Sequence, residues 1–254
     1  MIHFVGAGPG AADLITLRAQ RLLASADVCL YAGSLVPEEV LSHCPAGARL
    51  VNTADLTLDR ITDELVRAYA AGLQVVRLCS GDPALFSALA EQLRRLDAAG
   101  VPYDITPGVP AFAAAAAALG RELTVPGVGQ TVVLSRIAHA ATPMPPGEEL
   151  PALAALGTTL VLHLAVGRVD AVVAELLPHY GADCPVAVVA YASRPDELVL
   201  RGTLADIAGA VHAAGVRRTA VIVVGRVLAA AGFRDSHLYS ATRRREGGGS
   251  GSCP

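Results

Sequence analysis

Short β-branched, apolar runs at residues 2–5, 28–31, 49–52, 74–79 and 103–105 alternate with amphipathic or alanine-rich stretches at 14–25, 58–71 and 84–98. That alternation predicts a mostly parallel sheet with helices on both faces, because parallel strands need long crossovers and the crossovers are usually helical. Gly72 and Gly100 stand where a helix-closing glycine belongs. After a further helix at 111–119 the pattern restarts, with strands at 131–135, 158–163, 185–191, 197–200 and 219–224 and helices at 151–156, 168–177 and 204–214. The strands at 185–191 and 197–200 are separated by a short turn at Ser193-Arg194-Pro195-Asp196, so they are expected to pair antiparallel and to make this second sheet mixed.

The fold class is therefore α/β, with a parallel-sheet N-terminal domain over residues 1–120 and a mixed-sheet C-terminal domain over 121–240. Residues 124–129, rich in Pro and Gly, read as a hinge, 142–151 as a surface loop, and 241–254 as a mobile low-complexity tail. With 53% apolar residues in 254, the chain can bury a normal core and does not read as a disordered protein. The start carries no basic segment before an apolar run, and no apolar stretch reaches the roughly 18 residues needed to cross a bilayer. A cytoplasmic protein without a membrane partner is expected. Five scattered cysteines without CxxC spacing suggest neither a disulfide framework nor a zinc site, and no metal site is expected.

A net charge of −3 argues against a general nucleic-acid surface. All twenty basic residues are arginine. Codon bias explains that plainly, yet guanidinium forks also bind carboxylates bidentately, so an arginine-rich cleft would suit a polycarboxylate ligand.

Two glycine motifs carry candidate chemistry. Gly6, Gly8 and Ala11 fit the GxGxxA form of a dinucleotide fingerprint between a strand and a helix, which keeps a nicotinamide oxidoreductase in view. Against it, Asp27 lies at the start of the second strand rather than its end, and Pro9 removes an amide donor. The glycines can equally serve only a tight turn. Ser80-Gly81-Asp82-Pro83 follows a strand and precedes a helix, at the edge where open α/β sheets bind ligands. Asp82 as N-cap and Pro83 as first helical residue give the purely structural alternative.

These motifs, with Asp13-Leu14-Ile15-Thr16 and Pro107-Gly108-Val109, resemble the tetrapyrrole methylases, the class III S-adenosylmethionine-dependent methyltransferases, over about residues 2–239. Within that family, Tyr31-Ala32-Gly33-Ser34-Leu35-Val36, Gln130-Thr131-Val132-Val133-Leu134-Ser135-Arg136, and Ala192-Ser193-Arg194-Pro195-Asp196-Glu197 with Arg201-Gly202-Thr203-Leu204 are similar to members methylating carbon 11 of precorrin-4, giving precorrin-5, in cobalamin biosynthesis. A family member acting on another corrin carbon or on uroporphyrinogen III is the near alternative. A non-catalytic tetrapyrrole-binding protein is a further one.

The resemblance implies a homodimer whose two α/β domains hold S-adenosylmethionine, and the product S-adenosylhomocysteine, in a cleft between them, with a polycarboxylate tetrapyrrole in an adjoining trough. It places cofactor contacts at Pro9, Ser80, Gly81, Asp82, Leu85, Pro110, Ala111, Leu164, Ala192, Thr219 and Ala220. Substrate contacts fall to Gly8, Ser34, Arg136 and Arg194, and His163, at a strand end beside Leu164, is the candidate catalytic base. Ser80-Gly81 stands where the family often has two glycines, and the residues after Tyr239 do not continue the family's closing segment.

Overall fold

The computed structural model describes residues 1–138 and 142–236. The first half runs β1 (Ile2–Gly6), α1 (Leu17–Ala24), β2 (Val28–Tyr31), α2 (Glu38–Leu41), β3 (Arg49–Asn52), α3 (Leu58–Ala70), β4 (Val75–Cys79), α4 (Leu89–Ala98), β5 (Tyr103–Thr106) and α5 (Ala111–Leu119). Its strands form one five-stranded sheet in the order β3-β2-β4-β1-β5, every pair parallel. The second half runs β6 (Val132–Arg136), α6 (Leu150–Ala154), β7 (Thr159–His163), α7 (Val169–Tyr180), β8 (Pro185–Ala190), β9 (Leu198–Thr203), α8 (Ile207–Ala213) and β10 (Ala220–Val224). Its sheet has the order β6-β7-β10-β8-β9, with β6 and β7 parallel and the remaining pairs antiparallel. The α/β class, the parallel first sheet and the mixed second sheet thus stand as the hydrophobic pattern indicated.

Period-two alternation divides each central strand between two cores. In β1, Ile2 and Phe4 pack with α3 and α4, whereas Val5 packs with α1 and α2. In β7, Leu160 and Leu162 face α7 and α8, whereas Val161 faces α5. Helix α5 closes the first half of the chain, yet its Ala114, Ala115 and Leu119 pack on the second sheet. Small side chains let that helix approach the strands closely, and its start stands beside the site described below.

Several local boundaries differ from the sequence expectation. The first helix begins at Leu17, because the Thr16 hydroxyl accepts from the Ala19 amide at 3.0 Å and caps it there; residues 12–14 form a separate 3-10 turn. Helix α2 was not expected. The helix expected over 84–98 begins only at Leu89, since Phe86 and Ala88 take left-handed φ values of 51° and 54° and interrupt it. Strand β9 runs on to Thr203 because its ladder with β8 extends to Pro185.

Gly72 and Gly100 do close their helices, at φ 74° and 66°. Residues 139–141 and 237–254, which include the end of the family-like closing segment and the tail, lie outside the described residues. Cys29, Cys44, Cys79 and Cys184 are free thiols. No helix among the described residues is long and apolar enough to cross a membrane.

Candidate functional site

The carboxyl end of a parallel sheet leaves room between diverging loops, and here that end faces an edge of the second sheet across a cavity of about 550 Å³. From the first half come Pro9 after β1, Ser80, Gly81, Asp82 and Leu85 after β4, and Pro110 and Ala111 where β5 leads into α5. From the second half come Arg136 at the end of β6, His163 and Leu164 at the end of β7, and Ala192 and Arg194 after β8. Thr219 and Ala220, at the start of β10, complete that edge. These are the expected site residues, from opposite ends of the chain, in one wall. Gly8 does not line it but pairs with Gly81 in a short bridge, and Leu35 faces the cavity; the side chain of Ser34 lies outside what the structure describes.

The glycines of the opening serve close packing of backbones. A Cβ on Gly6 would stand 2.5 Å from the Gly108 Cα and 2.8 Å from the Gly81 oxygen, and one on Gly108 would stand 2.3 Å from that same oxygen. Three loops therefore meet with no room for a methyl group. The amides that a dinucleotide phosphate would need are already spent: Ala7 donates to the Cys79 carbonyl at 2.7 Å, Gly8 to the Gly81 carbonyl at 3.2 Å and Ala11 to the Ser193 hydroxyl at 3.0 Å. Asp27, the acid considered for a ribose, accepts instead from the Gln74 amide at 2.7 Å. The fingerprint is structural, and the nicotinamide reading loses its support.

Asp82 is likewise a tie between loops rather than a helix cap. One carboxylate oxygen accepts from the Ala84 amide and the other from the Gly108 amide, each at 2.8 Å. This Asx turn holds Gly81 at φ 64° and locks the β4 loop to the β5 loop. Across the cavity, Gly10 lies against the stem of Arg194, where a Cβ would come within 2.5 Å of Cγ. The Arg194 head rests over the Tyr191 ring and pairs with Asp196 at 3.0 Å.

Backbone strain concentrates here. Among the described residues the non-glycine positions with left-handed φ are Phe86, Ala88, Leu164, Tyr191, Ser193 and Thr219. Each lines the cavity or stands within two residues of one that does. Such conformations cost on the order of 1 kcal/mol or more and persist where the surrounding structure imposes them, most often at functional sites.

His163 Nε2 is fully covered and has no hydrogen-bond partner, with the Phe86 ring centroid 5.3 Å from the imidazole centroid. Burial holds its pKa below the ordinary histidine value, so the ring is neutral at physiological pH. Cys79, just before Ser80, is buried and its thiol is pushed up for the same reason, so it presents no thiolate.

The walls suit S-adenosylmethionine: apolar Leu85, Leu164, Val189 and Ala192 for a flat base, a glycine bend at Gly81 for close approach, and one buried nitrogen left without a partner. The residues match the family described as Tetrapyrrole (Corrin/Porphyrin) Methylases over 1–208. The chain belongs to that family.

Among its relatives, the precorrin-4 C(11)-methyltransferase of Rhodococcus erythropolis is 64% identical, with 96% of this chain and 98% of that protein covered. The solved structure of a cobalamin biosynthetic enzyme, cobalt precorrin-4 methyltransferase, superposes with a TM-score of 0.86 at 38% identity, over 89% of this chain and 95% of the other. Uroporphyrin-III C-methyl transferase from Thermus thermophilus, solved with S-adenosylhomocysteine, gives a TM-score of 0.75 at 32% identity over 90% and 98%.

For a tetrapyrrole methylase, the wall also holds residues that sequence reasoning passed over: Leu35, Phe86, Val166, Arg168, Arg217 and Arg218. Phe86 was hidden inside an expected helix. The tandem arginines before β10 carried a signal, two adjacent cations beside the expected Thr219, that periodicity alone does not weigh.

Proposed function

We propose that the chain transfers a methyl group from S-adenosylmethionine to carbon 11 of precorrin-4, or of its cobalt form, giving precorrin-5 in cobalamin biosynthesis, and that it works as a homodimer. The observation that carries this reading is the cavity itself: a nearly neutral, apolar side formed by the first sheet's loops faces a second-sheet edge rich in arginine. Such a division suits a nucleoside on one side and a polycarboxylate macrocycle on the other.

When bound, S-adenosylmethionine supplies a methyl group already activated on a sulfonium, which asks the protein for placement rather than for a nucleophile. The tied loops of Gly6, Gly81 and Gly108 with the Asp82 bonds give a rigid floor. Rigid placement of two reactants can contribute roughly 7–11 kcal/mol through proximity and orientation. Leu164 and Phe86, both substantially exposed toward the cavity, give an apolar lining that keeps water from the reacting carbon. His163, held neutral by burial and with Nε2 unpartnered, is the base for the proton that the methylated ring must lose.

Incubation with S-adenosylmethionine and enzymatically prepared precorrin-4, followed by mass analysis and NMR mapping of the new methyl group, tests the assignment. A methyl on carbon 11 supports it. Transfer to a different carbon, or to uroporphyrinogen III in preference, replaces it with a sister activity of the family. Light scattering after gel filtration tests the dimer.

A further inference from the structure

The second sheet brings one chemistry to one edge. Because β6 and β7 run parallel and β10 runs against β7 and β8, the ends of β6, β7 and β8 meet the start of β10 along a single rim. That rim carries Arg136, Arg168, Arg194, Arg217 and Arg218 into the cavity wall. The one acid in the wall among the described residues is Asp82 on the opposite side, whose two oxygens already accept backbone amides.

The five arginines are not equivalent. Arg136 donates to the carbonyls of Ile137 at 3.0 Å, Thr142 at 3.1 Å and Pro143 at 3.3 Å, and Arg168 donates to the Ala138 carbonyl at 2.7 Å. Both fasten the loop that follows β6. Arg194 is held by Asp196 and the Tyr191 ring. Arg217 and Arg218 have no hydrogen-bond or ion-pair partner among the described residues, and their side chains are exposed to the cavity mouth. Their backbone is nonetheless fixed. Thr219 follows at φ 54°, and the Arg217 carbonyl lies 3.1 Å from where a Cβ on Gly167 would stand, so the neighbouring turn packs closely against it and a side chain there would push it back by a few tenths of an ångström.

We infer that Arg217 and Arg218 are the carboxylate-reading pair of this site: two adjacent guanidinium groups on a fixed backbone that bind acetate or propionate arms of the macrocycle, while Arg136 and Arg168 shape the loop beside them. The inference rests on the proposed tetrapyrrole reading of the cavity and adds which residues recognise the substrate's charge. Unspent guanidinium donors on a fixed backbone lose little freedom on binding a planar anion, which is what bidentate recognition of a carboxylate requires.

The test compares cobyrinic acid, a stable corrin with free carboxylate arms, with its fully esterified form. Binding of each is followed by absorbance titration, with S-adenosylhomocysteine binding measured alongside. The wild-type chain is expected to prefer the acid by on the order of tenfold or more, falling as salt rises. The R217Q/R218Q double variant is expected to lose most of that preference and to bind S-adenosylhomocysteine as before. R60Q/R94Q, an equal charge change at two exposed sites away from the cavity, is expected to keep it.

A double variant that keeps the acid preference overturns the inference, as does a wild-type chain that binds S-adenosylhomocysteine but does not distinguish acid from ester. Equal loss of both ligands in the double variant overturns it too, placing the arginines with the nucleoside or the fold. Failure of the wild-type chain to bind S-adenosylhomocysteine is a different result, and overturns the methyltransferase reading beneath it.

Discussion

Gly108 and His163 show how much of the site rests on single residues. The Cβ of a Gly108→Ala variant would meet the Gly81 oxygen and the Gly6 backbone, none of which can swing away. Overpacking against backbone typically costs about 1–3 kcal/mol or more, so G108A is expected to lower the urea midpoint and to weaken S-adenosylhomocysteine binding in calorimetry. Unchanged values for both would mean that the three loops are looser than their spacing indicates.

For His163, burial lowers the folded pKa, so below about pH 6.5 the unfolded chain takes up a proton there that the folded chain refuses. Stability from this residue is therefore intact above about pH 6.5, declines as the pH falls, and levels off once the folded imidazole itself protonates. His163→Gln is expected to flatten that part of the stability profile relative to wild type, to lower turnover, and to spare S-adenosylhomocysteine affinity. Normal turnover in H163Q removes the residue from the chemistry.

At the scale of elements, the turn between β4 and α4 is the part that sequence reasoning read least well. Asp82-Pro83 has the chemistry of a helix start, and local propensity cannot tell that Asp82 bonds instead to Gly108, on a loop remote in the chain. What fixes this turn comes from inside the sheet. Arg77 of β4 is buried, with burial pushing its guanidinium down from the ordinary value, and its Nε donates to Gln92 Oε1 at 3.1 Å.

Gln92 Nε2 in turn donates to the carbonyl of Ala88 at 2.8 Å, the left-handed residue just before α4 and two positions after Phe86. Gln92→Leu keeps the volume and removes both bonds, leaving a buried cation and a carbonyl short of partners, at a cost of about 1–3 kcal/mol. The expected readings are a lower urea midpoint with an unchanged slope, and weaker S-adenosylhomocysteine binding as Phe86 loses its support. A midpoint equal to wild type would show that water or a neighbour replaces the pair.

Across the whole molecule, the two sheets are joined by α5, by the Ala11–Ser193 bond and by the seating of Arg194 on Gly10. A ligand in the cavity touches loops of both halves and so stabilises both at once. S-adenosylhomocysteine at about 100 times its dissociation constant is expected to add about 2.7 kcal/mol to unfolding, read as one shifted transition by both near-ultraviolet and far-ultraviolet dichroism. A shift confined to one of two separate transitions would mean that the ligand rests on one half alone.

Strand placement, the parallel and mixed sheets and the gathering of the family motifs were legible in the sequence, because period-two burial and the glycine and proline stops are local properties written into short stretches. Residues such as Ser80, Thr219 and Ala192 could be matched to motifs for the same reason. Only the tertiary structure decided that the Gly6 motif packs backbone rather than phosphate, that Asp82 is a tie, and that Arg136 and Arg194 are engaged while Arg217 and Arg218 are free among the described residues. Those outcomes depend on contacts between residues far apart in the chain, where partners compete for the same donors and the same space, and no local pattern records which partner wins.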